Sequence, residues 1–147
     1  MYKKFLIMLL ASFVIMYGVM FLNVDRFEHI YLSTSRFYMT LLMVSPMALL
    51  MLALMPTMYN NKKLNTIITI TSIAVFILSL SFLRTQTLIA DEQYMKAMIP
   101  HHSSAILVSQ EAQLKNPKVK KLAEEIIKAQ EKEISEMKQL LKELETE

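Results

Sequence analysis

Three uncharged apolar stretches, at residues 5–24, 37–58 and 64–83, dominate the first part of the chain. At about 1.5 Å of rise per residue, each is long enough as a helix to cross a hydrocarbon core roughly 30 Å thick. The pattern then changes. After Arg84 and a linker over 85–90, apolar residues recur at three- and four-residue intervals among charges, which is the signature of amphipathic helices. One helix is predicted from Asp91, an N-cap candidate, to about Leu114. Lys115-Asn116-Pro117 reads as a turn, with Pro117 opening a second helix that runs to about Glu145. The predicted fold class is all-α: a three-helix transmembrane domain over 1–84, then an antiparallel helical hairpin over 91–147.

Composition agrees with a membrane protein. Hydrophobic residues make up 54% of the 147, there is one glycine, and the mean hydropathy is +0.35. The formal charge of +3 hides a split. The apolar part holds Lys3, Lys4, Arg26, Arg36, Lys62 and Lys63 against Asp25 and Glu28, whereas the rest is close to neutral. Lys3 and Lys4 before an apolar run resemble a signal peptide, but the run is long and no small-x-small cleavage site follows, so it reads as a retained span. Lys3, Lys4, Lys62 and Lys63 would share one side of the membrane; Arg26, Arg36 and Arg84 would share the other. The positive-inside rule then makes the N-terminus cytoplasmic and the hairpin extracytoplasmic in a multi-pass cell-membrane protein. No basic block is interleaved with aromatics, which argues against a nucleic-acid partner. The absence of cysteine excludes disulfides and thiolate metal sites.

Candidate chemistry gathers in the hairpin. Two of the three histidines are adjacent, in Met95-Lys-Ala-Met98-Ile-Pro-His101-His102. Imidazole and thioether together suit a soft metal such as Cu(I), or Ag(I) by chemical similarity. The second helix carries a 4-3 stripe of Val119, Ala123, Ile126, Gln130, Glu133, Met137, Leu140 and Leu144; the first carries Met95, Met98, His102, Ala105, Ser109 and Ala112. Folded about Asn116, His102 falls level with Gln130, Met95 with Met137, and Met98 near Glu133. Burying a carboxylate or imidazole without a partner costs several kcal/mol, so these groups need one another or an ion. Spacing alone leaves open a metal site or a hydrogen-bonded network that sets helix register. His101 lies about 100° from His102 and faces elsewhere. Pro100 should kink the helix before the pair or start a new helical segment.

The spelling Asp91-x-x-Tyr94-x-x-x-Met98-Ile99-Pro100-His101-His102-x-x-Ala105-Ile106, then Leu122-Ala123-x-x-Ile126-Ile127-x-x-Gln130-x-x-Glu133-Ile134-x-x-Met137, resembles the domain of unknown function 305 family over about 88–145. The resemblance implies that the hairpin is half of a ferritin-like four-helix bundle, in a family often exported and in part linked to copper binding and tolerance. It implies Met98, His101, His102 and Met137 on the metal side, with Gln130 and Glu133 beside them. Val108 stands where many members have a methionine, so one site per hairpin is expected rather than a methionine-rich array.

These observations lead to a membrane protein that binds Cu(I) in copper handling. His102, Met98 and Met137 are the candidate ligands, His101 and Met95 further ones, and Gln130 and Glu133 orient the imidazole. Expected partners are the lipid bilayer, a second copy of the chain and copper-handling proteins. The alternative is a metal-independent assembly module that oligomerises through the hairpin. An enzyme is not expected, since no Glu-x-x-His motif, Gly-rich loop or nucleophile setting occurs. Met39, Met43, Met47, Met51 and Met55 form a row in the second span that reads as flexible apolar filler, with a copper-passing ladder as the functional alternative. His29 reads as a solvated loop residue.

Overall fold

A computed structural model describes residues 1–146; Glu147, the last residue of the predicted hairpin, lies outside the described residues. The described chain is all-helical and has no strand. Its elements are α1 (Tyr2–Val19), α2 (Thr34–Leu54), α3 (Lys62–Thr85), α4 (Asp91–Glu111) and α5 (Pro117–Leu144), with one 3-10 turn at Phe27–His29. They form two compact units: Met1–Met20 with Ser35–Leu88, and Phe21–Thr34 with the chain from Ile89 onward.

In the first unit, α1, α2 and α3 are each long and apolar enough to cross a membrane. Their boundaries differ from the hydropathy limits for local reasons. Asn61 Oδ1 accepts the Leu64 N–H at 3.1 Å, an N-cap that starts α3 at Lys62 rather than 64. Proline disfavours helical backbone in the residue before it, so α2 ends just ahead of Met55-Pro56 instead of continuing to 58. The helices pack around Phe5, Ala48, Met51 and Tyr59. Tyr59 meets the rings of Tyr2 and Phe5 at 5.4 and 5.3 Å, and Tyr2 donates to Asn65 Oδ1 at 2.8 Å. Large apolar side chains such as Leu6, Ile7, Val14, Ile70 and Ile77 stay exposed, as expected of surfaces that face lipid. The methionine row of α2 is not one continuous face: Met47 and Met51 pack in this core, whereas Met39, Met43 and Met55 are exposed.

The second unit is built on α4 and α5, which pack antiparallel. Asn116 Oδ1 accepts the Lys118 and Val119 N–H groups, and Pro117 opens α5 at its first position. Asp91 is the first helical residue of α4 rather than its cap, and α4 stops at Glu111 instead of 114. The helix runs unbroken through buried Pro100, so that proline does not start a new segment. The core of this unit is Met95, Ile99, Ile106, Ile134 and Leu141, with Tyr31, Ile127 and Met137 packed against it.

That core corrects the expected seam. The apolar core against α4 takes Ile127, Ile134 and Leu141 of α5, leaving Glu133 and Leu140 at its exposed edge. The two stripes are adjacent and share Ala123, Gln130 and Met137. Packing selects the one whose changed positions are all apolar, because a carboxylate at its centre would be buried without compensation. On α4 the core positions are likewise Met95, Ile99 and Ile106, whereas Met98 and Ala105 are only partly buried.

Residues 21–34, which include the end of the expected first span and the loop that holds His29, lie along α4 as a strap. Asn23 Nδ2 donates to Ser104 Oγ at 2.5 Å near one end, and Thr34 N–H donates to Gln93 Oε1 at 2.9 Å at the other. The strap thus runs antiparallel to residues 93–104 of α4, about 16 Å of helix. This is why α1 stops at Val19 and not 24: the chain leaves the helix to reach α4.

Candidate functional site

α4 carries two polar faces built from neighbouring residues, because successive helical positions lie about 100° apart. His102 faces α5. Its Nδ1 lies 3.0 Å from Glu133 Oε2, yet the carboxylate sits off the ring N–H direction and does not complete a hydrogen bond to this buried atom. Burial lowers the His102 pKa below the ordinary histidine value; the Glu133 charge opposes that effect and His101 adds to it. The neutral imidazole is therefore favoured. Glu133 itself stands at the seam's exposed edge, its side chain 48% accessible, and approaches from the side.

This contact revises the expected level. Folding symmetrically about Asn116 sets His102 beside Gln130; the observed partner is three residues further along α5, a shift of about 4.5 Å. The cause is the early end of α4. Residues 112–115 are non-helical and include a tight turn in which the Leu114 N–H donates to Ala112 O at 2.8 Å, so the helix pair is not symmetric about Asn116. In this register Met98, one turn before His102, falls at the height of Met137, one turn after Glu133. Met95 moves to the height of Leu140, and both line one shallow groove at the far end of the hairpin.

Of the candidate residues, His102 and Glu133 are in contact, and Met95 and Met137 belong to one apolar cluster. Met98 and Gln130 are partly buried. His101 is exposed, its ring centroid 6.1 Å from that of His102 and inclined at 60°. Among the described residues no group of three or more His, Asp or Glu side chains is placed to hold a metal ion.

The other face of α4 was not anticipated. His29 is buried, only 5% accessible, and its Nδ1 lies 2.9 Å from Ser103 Oγ. Ser103 Oγ also accepts the Asp25 N–H at 2.8 Å, so its own proton is available for His29. His29 is thus not a solvated loop residue. Burial pushes its pKa down, Lys138 adds to this, and Glu28 opposes it. Lys138 Nζ reaches Glu28 Oε1 at 3.3 Å and holds that carboxyl below its usual range. A cavity of about 300 Å³ lies between this part of the strap and α5, its charges of both signs contributed by Arg26, Glu28, Glu131 and Lys138. Only the Ser103-Ser104 pair following the histidines hinted at a second polar face; nothing periodic marks His29.

Comparison with known proteins adds a family. The model of the family described as Domain of unknown function (DUF305) matches residues 44–141, so the match begins inside α2 rather than at the hairpin. The chain is 41% identical over 141 residues to "Uncharacterized protein L153" of Acanthamoeba polyphaga mimivirus, covering 94% of this chain and 91% of that one. No solved structure matches.

Proposed function

The chain belongs to the domain of unknown function 305 family, and from that premise we propose that it is a membrane-anchored protein whose hairpin binds Cu(I). His102 is the central ligand, Met98 and Met137 supply thioethers, His101 is a fourth or intermolecular donor, and Met95 is a further candidate. Gln130 and Glu133 support the site from α5. The supporting observation is the state of His102: a part-buried imidazole, held neutral, with Nδ1 against a carboxylate and no completed hydrogen bond. A carboxylate beside Nδ1 favours the tautomer protonated there and leaves the Nε2 lone pair for a metal. A donor set of one or two imidazoles with thioethers suits a soft monovalent ion of low coordination number better than zinc or a carboxylate-bound metal.

In this reading the hairpin is half of a ferritin-like bundle, is completed by a second copy, and stands on the extracytoplasmic side with the N-terminus in the cytoplasm. Bound copper would pass to or from copper-handling partners. Cu(I) titration of the detergent-solubilised full-length protein against a competing chelator tests the site. Wild type should outcompete the chelator, and His102→Ala should weaken binding more than His101→Ala. Unchanged affinity in the double variant would refute metal binding here.

A second reading is favoured by the 3.0 Å contact between His102 Nδ1 and Glu133 Oε2. There the pair sets hairpin register in a metal-independent assembly module. It predicts that no metal is retained on purification and that Glu133→Ala lowers stability without changing metal content.

A further inference from the structure

The inner side of the strap is tied to α4 through Asn23, Asp25, His29 and Thr34. Its outer side is strongly apolar. Phe27 is 91% exposed, Leu22 78% and Leu32 68%, and Ile30 is exposed beside them. Four large apolar side chains are exposed within eleven residues of a segment pinned along its length, with exposed Arg26 and Glu28 flanking Phe27; this is more apolar exposure than a solvated loop needs.

Chain connectivity identifies the occupant. The strap leaves α1 after Met20 and enters α2 at Thr34, and both helices are long and apolar enough to cross a membrane. Phe27 lies seven residues from each of these points. Fully extended chain reaches about 3.5 Å per residue, so Phe27 stays within about 25 Å of either end. A segment tethered this closely at both ends to two spans has the headgroup and upper acyl region within reach, where aromatic and apolar side chains partition favourably. Charge is not the attraction: Arg26 is outnumbered by Asp25 and Glu28 and pairs with both, at 3.4 and 4.0 Å.

We propose that residues 22–32 form a membrane-interface anchor in which Phe27, Leu22 and Leu32 enter the lipid surface, so that the strap rests between the bilayer and α4. The anchor needs no anionic lipid. The inference rests on the reading of the three apolar helices as membrane spans.

The chain has no tryptophan, so Phe27→Trp makes a single reporter at an exposed position in the otherwise intact protein. The full-length variant is reconstituted into vesicles of zwitterionic phosphatidylcholine, and carbonate-resistant flotation reports insertion of the spans independently. The expected result is a blue-shifted emission, protected from aqueous iodide and at least halved by phosphatidylcholine brominated near the head of the acyl chain. Quenching by iodide but not by brominated lipid overturns the anchor and leaves the spans intact. Emission quenched by neither shows burial against protein, a second copy included, and also overturns it. Failure to float overturns both the spans and the anchor.

Discussion

Replacing Ser103 with alanine removes an atom that ties the strap to α4 at two points near its middle. Ser103 Oγ accepts the Asp25 N–H and bonds to His29 Nδ1, and Ser103 is itself fully buried. The substitution leaves a backbone donor and a buried ring nitrogen without partners. Each such orphaned group costs roughly 1–3 kcal/mol, and partial relaxation brings the pair to about 2–4 kcal/mol. Since about 1.4 kcal/mol is tenfold in an equilibrium constant, strap opening should become roughly 30- to 1,000-fold more frequent. The assay is amide hydrogen exchange on the full-length protein, read at Asp25 and across 21–34. Ser104→Ala is the matched control, because its hydroxyl bonds to the exposed Asn23 side chain and its loss should cost well under about 1.5 kcal/mol. Exchange in Ser103→Ala equal to that in Ser104→Ala would refute the claim that the strap is held at His29 and Asp25.

Two further outcomes follow from the same unit. His29 and His102 both have pKa values lowered mainly by burial, whereas the unfolded chain titrates near 6.5. Their stabilisation is therefore complete above that pH and is lost as the pH falls toward the lowered folded values, because the unfolded chain takes up protons first. Thermal melts from about pH 7.5 to about pH 5 should show falling stability, and a His29→Gln/His102→Gln double variant should flatten the slope; a full slope in that variant counts against the assignment. For the seam, Ile134→Ala should cost about 2–5 kcal/mol and the exposed Leu140→Ala less than about 1 kcal/mol in chemical denaturation. Equal losses would mean that α5 packs on the other stripe.

Much of the architecture is legible one residue at a time. Apolar runs of about 20 residues are long enough for helices of membrane-crossing length whatever surrounds them. Asn116-Pro117 announces the start of α5 because the cap and the fixed φ act locally. The chemistry of the candidate site is legible too, since His101, His102, Met98 and Met137 are set by identity and spacing. What stays hidden is the choice between equivalents. α5 contains two overlapping 4-3 stripes that share Ala123, Gln130 and Met137, and only the apolar Ile134 against the charged Glu133 separates them in the sequence; packing against α4 makes the choice by keeping Glu133 out of the centre.

The paired histidines show the same division. Sequence alone determined that His101 and His102 point in different directions, because consecutive helical residues always do. Tertiary structure decided that the level of His102 is that of Glu133 rather than Gln130, since α4 ends at Glu111 and the non-helical residues 112–115 break the symmetry about Asn116. It also decided that Ser103, the next residue along, belongs to a different partnership with His29, 74 positions away. No periodicity encodes a contact of that separation; it exists because a segment between two helices is long enough to lie along α4 and carries the groups that satisfy it.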